Sequence, residues 1–137
     1  MNTIIETLQA GLPVLFLQFA VALLLLAIGV AIYMAITPFH EARLVRAGNL
    51  AGGVVLMGTV IALAIPLAAT LASSLVTLDI LLWGAVALVL QLLAFLIVTH
   101  LIRGLKVMIE EGNVAAACVL VGCQIGVALI NAGAMSG

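Results

Sequence analysis

Glu41-Ala42-Arg43-Leu44-Val45-Arg46-Ala47-Gly48-Asn49 and Arg103-Gly104-Leu105-Lys106-Val107-Met108-Ile109-Glu110-Glu111-Gly112-Asn113 decide the fold of this chain. Between them they hold all 4 Lys and Arg residues of a 137-residue sequence. Each stretch is flanked by two long apolar runs. Basic residues in short loops stay on the cytoplasmic side of a membrane. Arg43, Arg46, Arg103 and Lys106 therefore predict two cytoplasmic loops, residues 37–49 and 103–113, with both termini outside. The outer side carries only Glu6 and Asp79, and acidic residues weigh little in this bias.

Outward from these loops, four spans can be read: about Pro13 to Ile36, Leu50 to Ala72, Ile80 to Ile102 and Val114 to Ala134. Each is roughly 20–25 residues, enough to cross a ~30 Å hydrocarbon core at ~1.5 Å per residue. None has a charge in its middle. The runs are continuous rather than alternating, which argues against strands. Composition agrees, with 67% hydrophobic and 7% charged residues. A soluble domain carries about 25% charged residues to cover its surface. A net charge of −1 leaves no footprint for nucleic acid. The expectation is one all-α integral membrane domain over residues 1–137. Residues 1–12 lack the basic start of a secretory signal, and the first apolar run is too long for one.

The chain also repeats itself. Ala20-Val21-Ala22-Leu23 recurs as Ala85-Val86-Ala87-Leu88, and Gly48-Asn49 as Gly112-Asn113. Gly58 then matches Gly122, and Ile61 matches Ile125. Each half reads as helix, basic loop, helix, over about 13–72 and 80–135. A two-span unit returns to its starting side, so the two copies share one orientation. Gly48 and Gly112 suit the left-handed residue that ends a helical turn. Asn49 and Asn113 suit the cap of the next helix, whose first N–H groups need an acceptor. Capping accounts for the Gly-Asn pairs better than ligand binding does.

Tyr33, Ile36-Thr37-Pro38, Trp83-Gly84, Gln91 and the two Gly-Asn helix starts resemble the domain-of-unknown-function 350 family, small YjfL-like bacterial inner-membrane proteins. The resemblance spans about residues 14–135 and implies two tandem two-helix units. It carries over no catalytic or ligand-binding residue. It implies a partner in envelope or polyamine physiology, because relatives are encoded near proteins of those kinds. The loop Pro38-Phe39-His40-Glu41 departs from the family pattern, so the resemblance implies nothing firm about that loop's contacts.

Small residues should carry the helix packing, since lipid supplies no hydrophobic drive between helices. Gly52 and Gly58 offer close approach in the second span. Cys118, Gly122 and Gly126 form one stripe on the fourth, suited to internal packing or to a homo-oligomer contact. Pro66 should kink the second span, and its counterpart is Ile130, next to Asn131. The intramembrane polar residues are Gln18, Thr59, Gln91, Gln124 and Asn131. Counted from the span ends, Gln91 and Gln124 come to similar depth near the midplane, and a hydrogen bond between them is expected. No carboxylate is expected at that depth, which disfavours ion coupling.

No nucleophile–base pair, phosphate loop or metal-ligand cluster appears, so neither an enzyme nor a bound cofactor or metal is expected. Cys118 and Cys123 sit on different faces of one helix, and His40 and His100 at an interface. Two function classes remain. One is an oligomeric scaffold or partner subunit that receives a cytoplasmic protein on its basic loops. The other is an oligomeric channel or transporter for a small solute.

Overall fold

The computed structural model describes residues 2–37, 40–74 and 76–136. Pro38, part of the expected Thr-Pro stop after the first span, lies outside the described residues, as does Phe39. The described residues form six helices: α1 (Asn2–Ile36), α2 (Glu41–Arg46), α3 (Leu50–Ser73), α4 (Thr77–Leu101), α5 (Leu105–Glu110) and α6 (Val114–Ser136). Four of them, α1, α3, α4 and α6, are long and apolar enough to cross a membrane. The first runs from Asn2 and so contains the expected span of about 13–36, with Pro13 inside it. Its 35 residues extend about 50 Å, well beyond a ~30 Å hydrocarbon core. α3 stays helical across Pro66, and the Thr70 hydroxyl donates to the Pro66 carbonyl at 3.0 Å.

Residue pairings give the helix directions. Gly58 meets Val121, Thr59 meets Gln124 and Thr70 meets Met135, so α3 and α6 run parallel. Gly84 meets Leu25, Gly29 meets Leu88 and Tyr33 meets Phe95, so α1 and α4 are parallel as well. Gln91 meets Gln124 and Ala87 meets Asn131, which sets α4 antiparallel to α6. The α3–α6 pair is the most extensive contact in the bundle. Its closeness depends on Gly58. A Cβ there would lie 2.9 Å from Val121 Cβ and nearer still to both methyl carbons.

The same backbone device ends both short helices. Gly48 (φ 79°) and Gly112 (φ 84°) take the left-handed conformation. Gly48 N–H donates to Val45 O and Asn49 N–H to Leu44 O; Gly112 N–H donates to Ile109 O and Asn113 N–H to Met108 O. This double bond pattern satisfies carbonyls that a helix end otherwise leaves free. Asn49 Oδ1 then accepts from Gly52 N–H at 2.9 Å, and Asn113 Oδ1 from Ala116 N–H at 3.1 Å. Asn49 does more than its counterpart. Its amide also donates to Ile109 O at 3.0 Å and Glu110 O at 3.1 Å, pinning α5 to the start of α3.

Two apolar clusters fill the bundle. One, nearer the short helices, gathers Tyr33, Val55, Phe95, Leu105, Ile109 and Leu120. The other, toward the opposite end, gathers Leu25, Leu63, Leu67, Ile80 and Leu88. The stripe of Cys118, Gly122 and Gly126 takes no part in either. Cys118 and Gly122 are exposed, and a Cβ on Gly122 or Gly126 would meet nothing within 4 Å. Within one chain, then, Gly52 and Gly58 pack closely and the α6 stripe does not. Gly52 faces Leu44 of α2, 2.7 Å from a Cβ placed there, whereas the α6 stripe points away from all three neighbouring long helices.

Candidate functional site: an enclosed polar cluster

Between the two apolar clusters lies a layer of polar side chains, one or more from each long helix. Tyr33 comes from α1, Thr59 from α3, Gln91 from α4 and Gln124 from α6, and all four are buried. Each had a local reason to be polar and still fold there. Thr59 turns its hydroxyl back onto Val55 O at 2.8 Å, as lipid-buried hydroxyls on helices do. Tyr33 stacks its ring edge-on against Phe95, with centroids 4.4 Å apart and planes at 68°. The two amides supply the bond that crosses the bundle.

That bond differs in its acceptor from the expected one. Gln91 Nε2 donates at 2.9 Å to the main-chain carbonyl of Gln124, not to its side chain. The Gln124 side chain instead accepts from Thr59 at 3.3 Å. The two amides do share one depth, as counting along the spans indicates. Their coupling is weaker than a side-chain pair implies, because Gln124→Leu leaves the Gln91 bond intact. Gln91→Leu should cost about 0.6–2 kcal/mol, the range for interhelical bonds in membranes, and Gln124→Leu less. Thermal unfolding of both single variants and the double would check this; a strong non-additive term between them would contradict it.

A small, mostly apolar cavity of about 10 Å³ lies against the cluster, lined by Tyr33, Thr59, Gln91 and Gln124 together with Leu63 and Phe95. Two polar atoms of its lining residues, Tyr33 Oη and Gln91 Oε1, are buried without a hydrogen-bond partner. Further along α6, Asn131 Nδ2 donates to Ala87 O at 3.3 Å. Asn131 also lines an open cleft of about 520 Å³ at the end of the bundle away from the short helices. Thr70, Asp79, Trp83 and Met135 line the same cleft. Gln18 lies half-buried on α1.

One polar residue escapes the sequence reading. Glu41, counted among the loop charges, is 0% exposed, and both its carboxylate oxygens are unpartnered. The interior therefore does hold a carboxyl group, at its basic-loop end. A sequence signal for this exists. The spacing that relates Gly48 to Gly112 relates Glu41 to Leu105, and Leu105 is a core residue at 2% exposure. The first position of each short helix points inward. The remaining charges of the two loops, Arg43, Arg46, Arg103, Lys106, Glu110 and Glu111, are exposed. Cys118 and Cys123 are free and exposed thiols.

The fold thus defines an all-helical protein of the kind that crosses a membrane four times, closed around a small polar centre. The chain belongs to the family described as Domain of Unknown Function (DUF350), whose model matches residues 7–135. It is similar to the UPF0719 inner membrane protein YjfL of Escherichia coli (strain K12), with 30% identity over 118 residues, covering 86% of this chain and 89% of that protein. The protein of the same name from Escherichia coli O157:H7 matches to the same extent. No solved structure matches.

Proposed function

We propose that this chain is a homo-oligomeric scaffold or partner subunit of the bacterial inner membrane. Its tandem units, about 13–72 and 80–135, place both basic loops in the cytoplasm and both termini outside. There the loops receive a cytoplasmic protein, in envelope or polyamine-related physiology as the family resemblance implies. The inner-membrane placement draws on the printed name of the relatives.

One observation carries the oligomer. Gly58 of α3 is filled by Val121 of α6, whereas Gly122, its repeat counterpart on α6, faces empty space. The repeat counterpart of Val121 is Met57, which is 56% exposed. Each chain therefore offers one used and one unused copy of the same contact. A second chain can set its Met57 face on the first chain's Gly122 face, as α6 already sits on α3. The loop role draws on the pinning of α5 to the start of α3 by Asn49, which holds the exposed charges Lys106 and Glu110 in a fixed arrangement. Fixed charges at one end of a bundle suit electrostatic recognition of a soluble partner.

Native mass spectrometry from mild detergent should show an oligomer of the wild type. In cells, a Cys at Ser74 should react with an impermeant label from outside and a Cys at Arg46 should not, on a background lacking Cys118 and Cys123. A monomeric wild type, or outside labelling at Arg46, would overturn the corresponding half of the proposal. The 520 Å³ cleft favours a second reading, a solute pathway in the assembled protein. Solute flux in proteoliposomes that the Gln91→Leu, Gln124→Leu pair abolishes without unfolding would select it.

A further inference from the structure

Three buried side chains of one connected region carry polar atoms without partners: Glu41, Tyr33 and Gln91. Buried polar groups in native structures are almost always satisfied, so three orphans together call for a shared explanation. Leaving an ionised carboxylate bare inside a protein is costly, and such a group takes up a proton instead. Tyr33, on the helix just before it in the chain, acts on the Glu41 carboxyl, as Thr37 and His40 do.

We propose that Glu41 is a proton-binding site, set inside the basic-loop end of the bundle beside Tyr33. This assignment goes beyond the scaffold reading and does not depend on it. Glu41 keeps its proton because its surroundings offer no counter-charge in contact. α1 presents only Tyr33 to it among titratable groups, and α3 contains none. On α2 and its approach, His40, Arg43 and Arg46 are exposed. So are His100 and Asp79 of α4, Arg103 before α5, Lys106 and Glu110 of α5, and Glu111 after it. Cys118 and Cys123 of α6 are exposed too. Burial raises the Glu41 carboxyl above the ordinary carboxylate range, and Tyr33, its own main chain, His40 and Thr37 pull it part of the way back. A carboxyl raised in the folded state holds more protons there than when unfolded. Its contribution to stability is complete at acid pH, and falls as pH rises from the ordinary carboxylate value through the raised one.

Infrared spectra of the reconstituted protein, titrated with pH, test the site. A protonated carboxyl band should persist at neutral pH in the wild type and in Glu110→Gln, and vanish in Glu41→Gln. Glu41→Gln, the uncharged isostere, should fold and lose the decline of stability with rising pH. Tyr33→Phe should shift the band by removing the group next to it. A wild type without the band at neutral pH, a band that survives Glu41→Gln, or a Glu41→Gln chain that cannot fold would each overturn the proton site. A band unmoved by Tyr33→Phe would overturn the placing of the site beside Tyr33.

Discussion

Gly58→Leu should leave no stably folded bundle, while Gly122→Leu should leave the bundle intact and dissolve the proposed assembly. Both exchanges replace a helical glycine by leucine, so composition and helix propensity are matched between the experiments. What differs is the space in front of them. At Gly58 even a Cβ collides with Val121, at 2.9 Å from its Cβ and closer to its methyls. The obstacle is a β-branched side chain at the closest point of the largest helix pair, and it cannot swing aside as a long flexible one would. Overpacking of this kind costs about 1–3 kcal/mol for a small addition, occasionally more. We expect Gly58→Ala to lose about that amount and Gly58→Leu to separate α3 from α6. At Gly122 nothing lies within 4 Å, so a larger side chain changes monomer stability by no more than about 0.5 kcal/mol. Unfolding in detergent and native mass spectrometry read the two effects separately. A folded Gly58→Leu protein would contradict the α3–α6 packing, and an undiminished oligomer of Gly122→Leu the proposed contact.

Asn49→Ala should destabilise the protein by about 2–4 kcal/mol, combining a lost cap of ~1 kcal/mol with two lost interhelical bonds of ~0.5–1.5 kcal/mol each. Asn113→Ala loses the cap alone within a single chain, about 1 kcal/mol. The difference has a structural cause. The Asn49 amide reaches the last carbonyls of α5, whereas Asn113 sits exposed at the start of α6. Thermal unfolding gives the totals, and hydrogen exchange at α5 amides should rise in Asn49→Ala only. Equal losses in the two variants would mean that the bridge to α5 contributes nothing.

Features governed by local chemistry were legible in the sequence. Gly-Asn announces a left-handed stop followed by a cap, and both copies form both. Gln91 and Gln124 could be brought to one depth by counting, because a helix rises evenly. What escaped depends on which surface finds a neighbour. Gly58 and Gly122 read identically, and only the packing of α3 on α6 makes one buried and the other open. The acceptor of the Gln91 bond is a main-chain carbonyl, which every residue carries and no pattern marks. Glu41 looked like one more loop charge because a six-residue helix gives too little periodicity to show its inward face. The comparison with Leu105, available from the repeat, carries that information. The helix α1 extends eleven residues before the span that begins near Pro13, because helical structure continues past the stretch that apolar content marks.

In the proposed assembly, the filled Gly58 and the empty Gly122 also constrain the geometry of growth. A contact between unlike faces is not consumed when two chains meet, since each addition leaves one face open at either end. Such head-to-tail joining has two outcomes, a closed ring or an unending row. In a flat bilayer the choice rests on the rotation that carries α3 onto α6. If that rotation divides a full turn into an even number of steps, the chains close with half as many copies as steps. If not, they must strain to close or run on as a lattice in the membrane plane. In the proposed assembly the number of subunits follows from the rotation that relates the two halves of one chain.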